Sequence, residues 1–331
     1  MAAEQWGGPL WAAADLATPM AIRVAATLRL ADHIAAGTRT AGALAAAVDA
    51  DEDALERVLA HLVTAGVLGH EPDGYGLTGT GEYLRDDHPD GVRAWLDLSG
   101  AVGHGDLCFV HLLHSVRTGE PAYPVQFGRP YWEDLAADPR LGASFDALMG
   151  SRLGADAPAV AAAYPWGGLG HLVDVGGGTG SLLIAILRAH DELRGTVVDL
   201  ASPAARAAEA IAAAGLADRA GSVAGSFFEP LPAGAGGYLL SGVLHDWDDE
   251  HAARILARCV DAAGPTGRVF VLEDAVAGGL DTGGDLRMLC YVRGRDRTLD
   301  ELRELAASVG LRVRSVTPAG TRTVIELQRS R

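Results

Sequence analysis

The segment SGVLHDWDDEHAARIL, residues 241–256, gathers His245, Asp246, Asp248, Asp249 and His251 within seven positions. Such residues at this spacing can hold a metal, cap a helix or move a proton. For a metal, His245 and His251 must converge. The apolar run ending at Leu244 puts the first at a strand exit, whereas the pattern that follows puts the second inside a helix, without the i, i+4 spacing of a helical zinc pair. Asp248 and Asp249 suit a helix start, where carboxylate oxygens accept free backbone N–H groups. Capping leaves the histidine unexplained, and the remaining role for His245 is general base. No metal is expected here. Nor is one expected at His111 and His114, which have no third ligand at an obvious offset.

A second cluster, Asp174-Val175-Gly176-Gly177-Gly178-Thr179-Gly180, follows an apolar run. Glycines there let the backbone turn sharply and approach a ligand. The dinucleotide fingerprint GxGxxG fails, because counting from Gly176 brings Ser181 to its last position. The carboxylate of Asp174 would repel a pyrophosphate and suits an ammonium group better. A phosphate-binding P-loop is excluded, since all 27 basic residues are arginine. Asp199 ends the next apolar run, where it can accept both hydroxyls of a ribose. In GSFFEP, residues 225–230, Ser226 can bond an adenine edge and Phe227 can cover its face. In this order, the features indicate an S-adenosylmethionine site built from Asp174, Gly176, Gly178, Asp199, Leu200, Ser226, Phe227 and Ser241.

These groups need strands and helices to position them. From Leu169 onward the apolar runs HLVDV, GTVVDL, RAGSVAG, GGYLLSGVL and GRVFVLEDAV alternate with helical segments, which predicts a mostly parallel sheet wound on both faces. LRVRSVTPAG and TRTVIELQR close the chain as an antiparallel pair around a short turn. Upstream, residues 96–168 read as connecting helices broken at Pro139 and Pro158. Residues 1–95 read as helix, turn, helix and two short strands about Asp73-Gly74, the order of a winged helix. That domain holds six arginines and fourteen acidic residues, a charge of −8. Its would-be recognition helix opens with Asp51, Glu52 and Asp53, so DNA binding is disfavoured and dimerisation preferred. The whole chain, at −16 over 331 residues, carries no basic surface for a polyanion. No apolar run reaches the ~18 residues of a membrane span, and the amino terminus lacks the order of a signal peptide, so a cytoplasmic protein without membrane partners is expected. Three scattered cysteines indicate neither a disulfide framework nor a zinc site.

The ordered set VDVGGGTG, VVDL, GSFFEP, LHDWDDE, LED and GRDRT, preceded by the winged helix, resembles the S-adenosylmethionine-dependent O-methyltransferases of small phenolic molecules, and most closely the bacterial natural-product branch. The resemblance covers essentially the whole chain. It implies an α/β fold: a Rossmann-like methyltransferase domain with a mostly parallel seven-stranded sheet at 169–331, a helical connector at 96–168, and a helical winged-helix-like dimerisation domain at 1–95. It also implies a homodimer, S-adenosylhomocysteine as the cofactor product, and an aromatic substrate.

In that family two acidic residues flank the histidine, and Glu273 and Asp296 match their places. The second is an aspartate where glutamate is usual. A phenol titrates near ~10 and a free histidine near ~6.5, so full prior deprotonation would cost about 5 kcal/mol. Concerted proton removal avoids much of this, and a carboxylate on the far ring nitrogen strengthens the base. Met149 and Met288 match positions that sandwich the acceptor ring, and Asp246 and Trp247 fall at the same rim. Asp285 is a candidate for a substrate donor and Arg152 for the cofactor carboxylate. Arg293, if it faces inward, would bind the carboxylate of a hydroxynaphthoic or salicylic-type acid. A homologue of this family diverted to hydroxylation, decarboxylation or a pericyclic step is the alternative reading.

Overall fold

The computed structural model describes residues 8–274 and 281–330. The chain divides into two compact units, the first ending at Leu107 and the second beginning at Cys108.

In the first unit the side chains of Thr40 and Asp51 accept the backbone N–H groups of Ala43 and Ala54, which starts the helices Ala41–Val48 and Glu52–Thr64. The second helix buries Leu55, Leu59 and Leu62 at helical spacing, in one core with Leu30, Ile34 and Leu44. Strands β1 (Leu68–Glu71) and β2 (Gly74–Leu77) then pair antiparallel, and the expected winged-helix order is present.

The second unit contains β3 (His171–Val175), β4 (Arg194–Asp199), β5 (Ala220–Ala224), β6 (Gly237–Ser241), β7 (Arg268–Asp274), β8 (Leu311–Ala319) and β9 (Arg322–Arg329). They form a seven-stranded sheet in the order β5-β4-β3-β6-β7-β9-β8, with β9 antiparallel to both neighbours. The inner strands carry apolar residues on both faces because helices cover both. Val173, Val175 and Leu240 belong to one core, and Leu172, Leu239 and Phe270 to the other. The strand order reverses between β3 and β6, and ligands of such sheets bind outside the carboxyl ends at this point. Asp174, Asp199, Ser241, Glu273 and Asp274 all fall near those ends. Ala275 and Val276, included in the expected fifth strand of this set, lie outside the described residues.

The expected break at Pro158 is absent. One helix runs from Pro139 to Ala163 with Pro139 in its first turn and Pro158 inside it. At the first helical position the missing N–H costs nothing. Pro158 is tolerated because it and Gly154, whose carbonyl its ring displaces, both lie on the exposed side of the helix. No described helix is long and apolar enough to cross a membrane.

Candidate active site

The glycine loop takes its form from three left-handed positions, Gly176, Gly178 and Gly180, with φ of 73°, 57° and 76°. Gly178 donates its N–H to Asp199 Oδ2 at 2.8 Å, so the acidic end of β4 holds the loop while Oδ1 accepts from Leu200 N at 2.7 Å. The ring of Phe227 lies 3.5 Å from where a side-chain carbon on Gly176 would sit, which places it beside the loop. Leu200 is 54% exposed at the end of β4. The Ser226 hydroxyl accepts from Phe228 N.

Asp174 is 1% exposed, and neither carboxylate oxygen has a hydrogen-bond partner among the described residues. Burial, with Asp199 nearby, pushes its pKa up to about 7. A buried carboxylate without a donor is costly, and a cation or N–H donor would relieve it. Ser241 Oγ, at the end of β6, is likewise buried without a partner among the described residues. Two orphaned acceptors beside a glycine loop fit a ligand that carries both an ammonium group and a nucleoside.

The proton-transfer cluster is built at the ends of β6 and β7. Gly242, at φ 60°, turns the chain out of β6 into the short 3-10 turn Leu244–Asp246. His245 Nδ1 lies 3.3 Å from Glu273 Oε2 and 3.6 Å from Asp296 Oδ1, and Nε2 lies 3.5 Å from Asp246 Oδ1. The imidazole therefore touches three carboxylates. Desolvation acts on them in opposite senses: it lowers His245 to about 4 and raises Glu273 to about 8 and Asp296 to about 6. The histidine is neutral near pH 7, the form in which a ring nitrogen can accept a proton.

Asp248 caps the helix Asp249–Ala263 through His251 N, as expected, and its carboxylate also holds the His251 ring at 2.7 Å. Trp247 packs in an aromatic group with Phe227, Phe228 and His251, next to the residues assigned to adenine. Asp285, the candidate for a substrate donor, accepts from Asp296 N at 2.9 Å and so supports the loop. Arg152 pairs with Asp274 at 2.6 Å, one residue beyond Glu273. Met149 and Met288 are both half-buried.

Arg293 departs from its inward reading. It is 54% exposed and lies 3.3 Å from Glu120 and 3.6 Å from Asp248, so two carboxylates already neutralise it. Asp274, Gly294, Arg297 and Arg322 were not identified from the sequence. In a chain with 27 arginines and no lysine, nothing local separates a buried guanidinium from a surface one. Among the described residues no group of His, Cys, Asp and Glu could hold a metal.

A mostly parallel sheet with a glycine loop after its first strand and a histidine among carboxylates after its fourth defines a Rossmann-like methyltransferase. The chain belongs to the O-methyltransferase family: residues 109–312 match its O-methyltransferase domain and residues 11–87 its O-methyltransferase dimerisation domain. It is 58% identical, across 96% of each chain, to the 2,7-dihydroxy-5-methyl-1-naphthoate 7-O-methyltransferase of Streptomyces carzinostaticus. It is 50% identical to the aclacinomycin 10-hydroxylase RdmB of Streptomyces purpurascens, over 94% of this chain and 85% of that one. Among solved structures, the O-methyltransferase NcsB1 from neocarzinostatin biosynthesis, in complex with S-adenosylmethionine and 2-hydroxy-5-methyl naphthoic acid, superposes with a TM-score of 0.94. The identity is 56%, covering 97% of this chain and 98% of that one.

Proposed function

We propose that this protein transfers a methyl group from S-adenosylmethionine to a hydroxyl of an aromatic acid of the hydroxynaphthoic type, an intermediate of bacterial secondary metabolism, with His245 as general base. The observation that carries the mechanism is the imidazole held between Glu273 and Asp246, with Asp296 on the Glu273 side. The naphthoate named for its relative supports the acceptor class. When bound, the cofactor supplies an electrophilic methyl on a sulfonium and leaves as S-adenosylhomocysteine. Glu273 and Asp296 orient the ring through Nδ1, and Asp296, the one ionised near pH 7, stabilises the imidazolium, which leaves Nε2 for the hydroxyl proton. Asp199 receives the ribose, and Asp174 and Ser241 take donors from the cofactor. Leu200, Phe227 and Trp247 provide its apolar walls. Ser226 and Arg152 serve the adenine edge and the methionine carboxylate. Met149 and Met288 flank the acceptor, with Asp246 at its hydroxyl.

The exposed Leu16 and Met20 of the family's dimerisation domain support a homodimer. We retain 1–95, 96–168 and 169–331 as dimerisation, connector and methyltransferase segments, acting in the cytoplasm on a small molecule, without nucleic acid, membrane or metal.

Mass spectrometry of hydroxylated naphthoic and salicylic acids incubated with enzyme and S-adenosylmethionine should show the gain of one methyl group. The hydroxylase among the relatives favours one rival. A gain of oxygen with no methylated product from any acid in the panel would transfer the assignment to it.

Asp174 makes cofactor affinity pH-dependent. Its pKa of about 7 in the folded protein lies above the ordinary 3.8, so the cofactor-free fold binds more protons than the unfolded chain between those values. Stability therefore falls as pH rises through this window, and the carboxylate that costs stability is the form that binds a cation. Calorimetry between pH 5.5 and 8.5 should find cofactor binding tightening as pH rises. Asp174→Asn should raise the melting temperature of the cofactor-free protein at pH 8 while weakening the cofactor. A pH-independent affinity in the unmodified enzyme would remove Asp174 from the cofactor site.

A further inference from the structure

The base and its acidic partner Asp296 arrive on two separate stretches of chain. His245 is in the 3-10 turn Leu244–Asp246, and Asp296 lies between the helices Thr282–Tyr291 and Leu299–Ser308. Neither stretch has regular secondary structure to fix it against the other. Besides the ion pairs, three contacts reach the backbone of the turn. Arg295 donates its N–H to His245 O at 2.8 Å. A side-chain carbon on Gly294 would lie 2.1 Å from His245 O and 2.7 Å from Asp246 C, so the two backbones are in direct contact. The third contact is made by Arg297, whose side chain is only 5% exposed. Its Nη1 donates to Leu244 O at 2.7 Å, its Nη2 to Trp247 O at 2.7 Å and to Asp249 Oδ1 at 2.8 Å, and its Nε to Asp249 Oδ1 at 3.0 Å.

We infer that Arg297 is a positioning residue for the proton-transfer step: its guanidinium fork grips the carbonyls on either side of His245 and Asp246, and so sets the distance from the imidazole to Asp296. This rests on the reading of His245 as the base. The two carbonyls bracket the histidine in sequence, and Arg297 is bonded directly to Asp296. A planar group with several donors in fixed directions spans two carbonyls and a carboxylate at once, whereas an ammonium on a flexible stem is a point charge that cannot fix their mutual angle. Burial removes water as a substitute partner, so the carbonyls lose their donor if the fork is lost.

Arg297 also acts on His245 through charge. The groups that face the imidazole are Asp246, Glu273, Asp274 and Asp296 on the acidic side, and Arg152, Arg322 and Arg297 on the basic side. After burial, which dominates, Asp274 favours the imidazolium, and Arg322, Arg152 and Arg297 oppose it.

The test compares Arg297→Lys, which keeps the charge and loses the fork, with Arg297→Met, which loses both. Both should bind S-adenosylmethionine within about twofold of the unmodified enzyme while kcat falls roughly 10- to 100-fold, the loss expected of a misplaced catalytic group. Nitrogen-15 NMR of the His245 ring, which needs no turnover, should show the titration midpoint rising in Arg297→Met and unmoved in Arg297→Lys. A purely structural arginine would lower cofactor affinity and kcat together. An unchanged kcat in Arg297→Lys, a kcat loss matched by lost cofactor affinity, or an unmoved midpoint in Arg297→Met would each overturn the inference. Should Arg297→Met not fold, the kcat and affinity of Arg297→Lys decide it. His245→Ala assayed in parallel separates the two readings: full turnover there withdraws the base, whereas its loss beside a normal Arg297→Lys withdraws only the positioning role.

Discussion

Replacing His245 with alanine should lower kcat for methyl transfer by about 10²- to 10⁴-fold, the usual contribution of a positioned general base. The cofactor dissociation constant should stay nearly unchanged, because the groups assigned to the cofactor are Asp174, Asp199 and Ser241, and the imidazole instead contacts Asp246, Glu273 and Asp296. His245→Gln should fall as far, since an amide fills similar space but cannot take a proton. Steady-state rates with a methylated acid, paired with calorimetry of the cofactor, check both. The base assignment fails if either variant keeps more than about a tenth of the rate, because loss of a general base is not that mild. The size of the effect follows from geometry. Three acidic side chains at 3.3 to 3.6 Å surround the ring, and of these Asp296, at about 6, is ionised near pH 7 and compensates the imidazolium once formed, while burial keeps the resting ring neutral.

Gly176→Ala should be a strongly damaging conservative change in the glycine loop. At φ 73° any side chain is strained, at about 1–2 kcal/mol. The added carbon would also lie 2.8 Å from Val243 Cγ2, an overpacking that costs about 1–3 kcal/mol. Together these give a destabilisation of roughly 2–5 kcal/mol, or a shifted loop that weakens the cofactor. Gly178→Ala supplies the comparison. It has φ 57° but nothing within 4 Å of the added carbon, so only the backbone strain applies. Urea unfolding of the cofactor-free proteins, with cofactor titrations, should rank Gly176→Ala well below Gly178→Ala. Equal stability and equal affinity for the two would contradict this account of the loop.

Much of the site was legible because its parts are local. A glycine run after an apolar strand, a carboxylate at the end of the next strand and an aspartate before a helical repeat each carry their physical reason in adjacent residues. The clearest example is Asp248, whose capping of the helix Asp249–Ala263 needs only the helix that follows it. What local sequence leaves open depends on partners far along the chain. Whether Arg293 faces inward is open in the sequence, and Glu120 and Asp248 beside it hold it at the surface. Asp285 reads from the sequence as a substrate contact, and its bond to Asp296 N is a further role that only folding creates. Pro158 read as a break because the rule concerns the missing N–H, whereas the outcome depends on which side of the helix faces solvent.

The sequence by itself determined the alternation of strands and helices, the glycine loop, the order of acidic residues at the strand ends and the identity of the histidine, since each follows from periodicity or from side-chain chemistry. Tertiary structure alone decided which of 27 arginines are buried, that Asp246 joins Glu273 and Asp296 around the histidine, and in which direction each pKa moves. Charge interactions and desolvation depend on distance in space, and residues such as Leu244 and Arg297, far apart along the chain, meet only when the sheet brings their loops together.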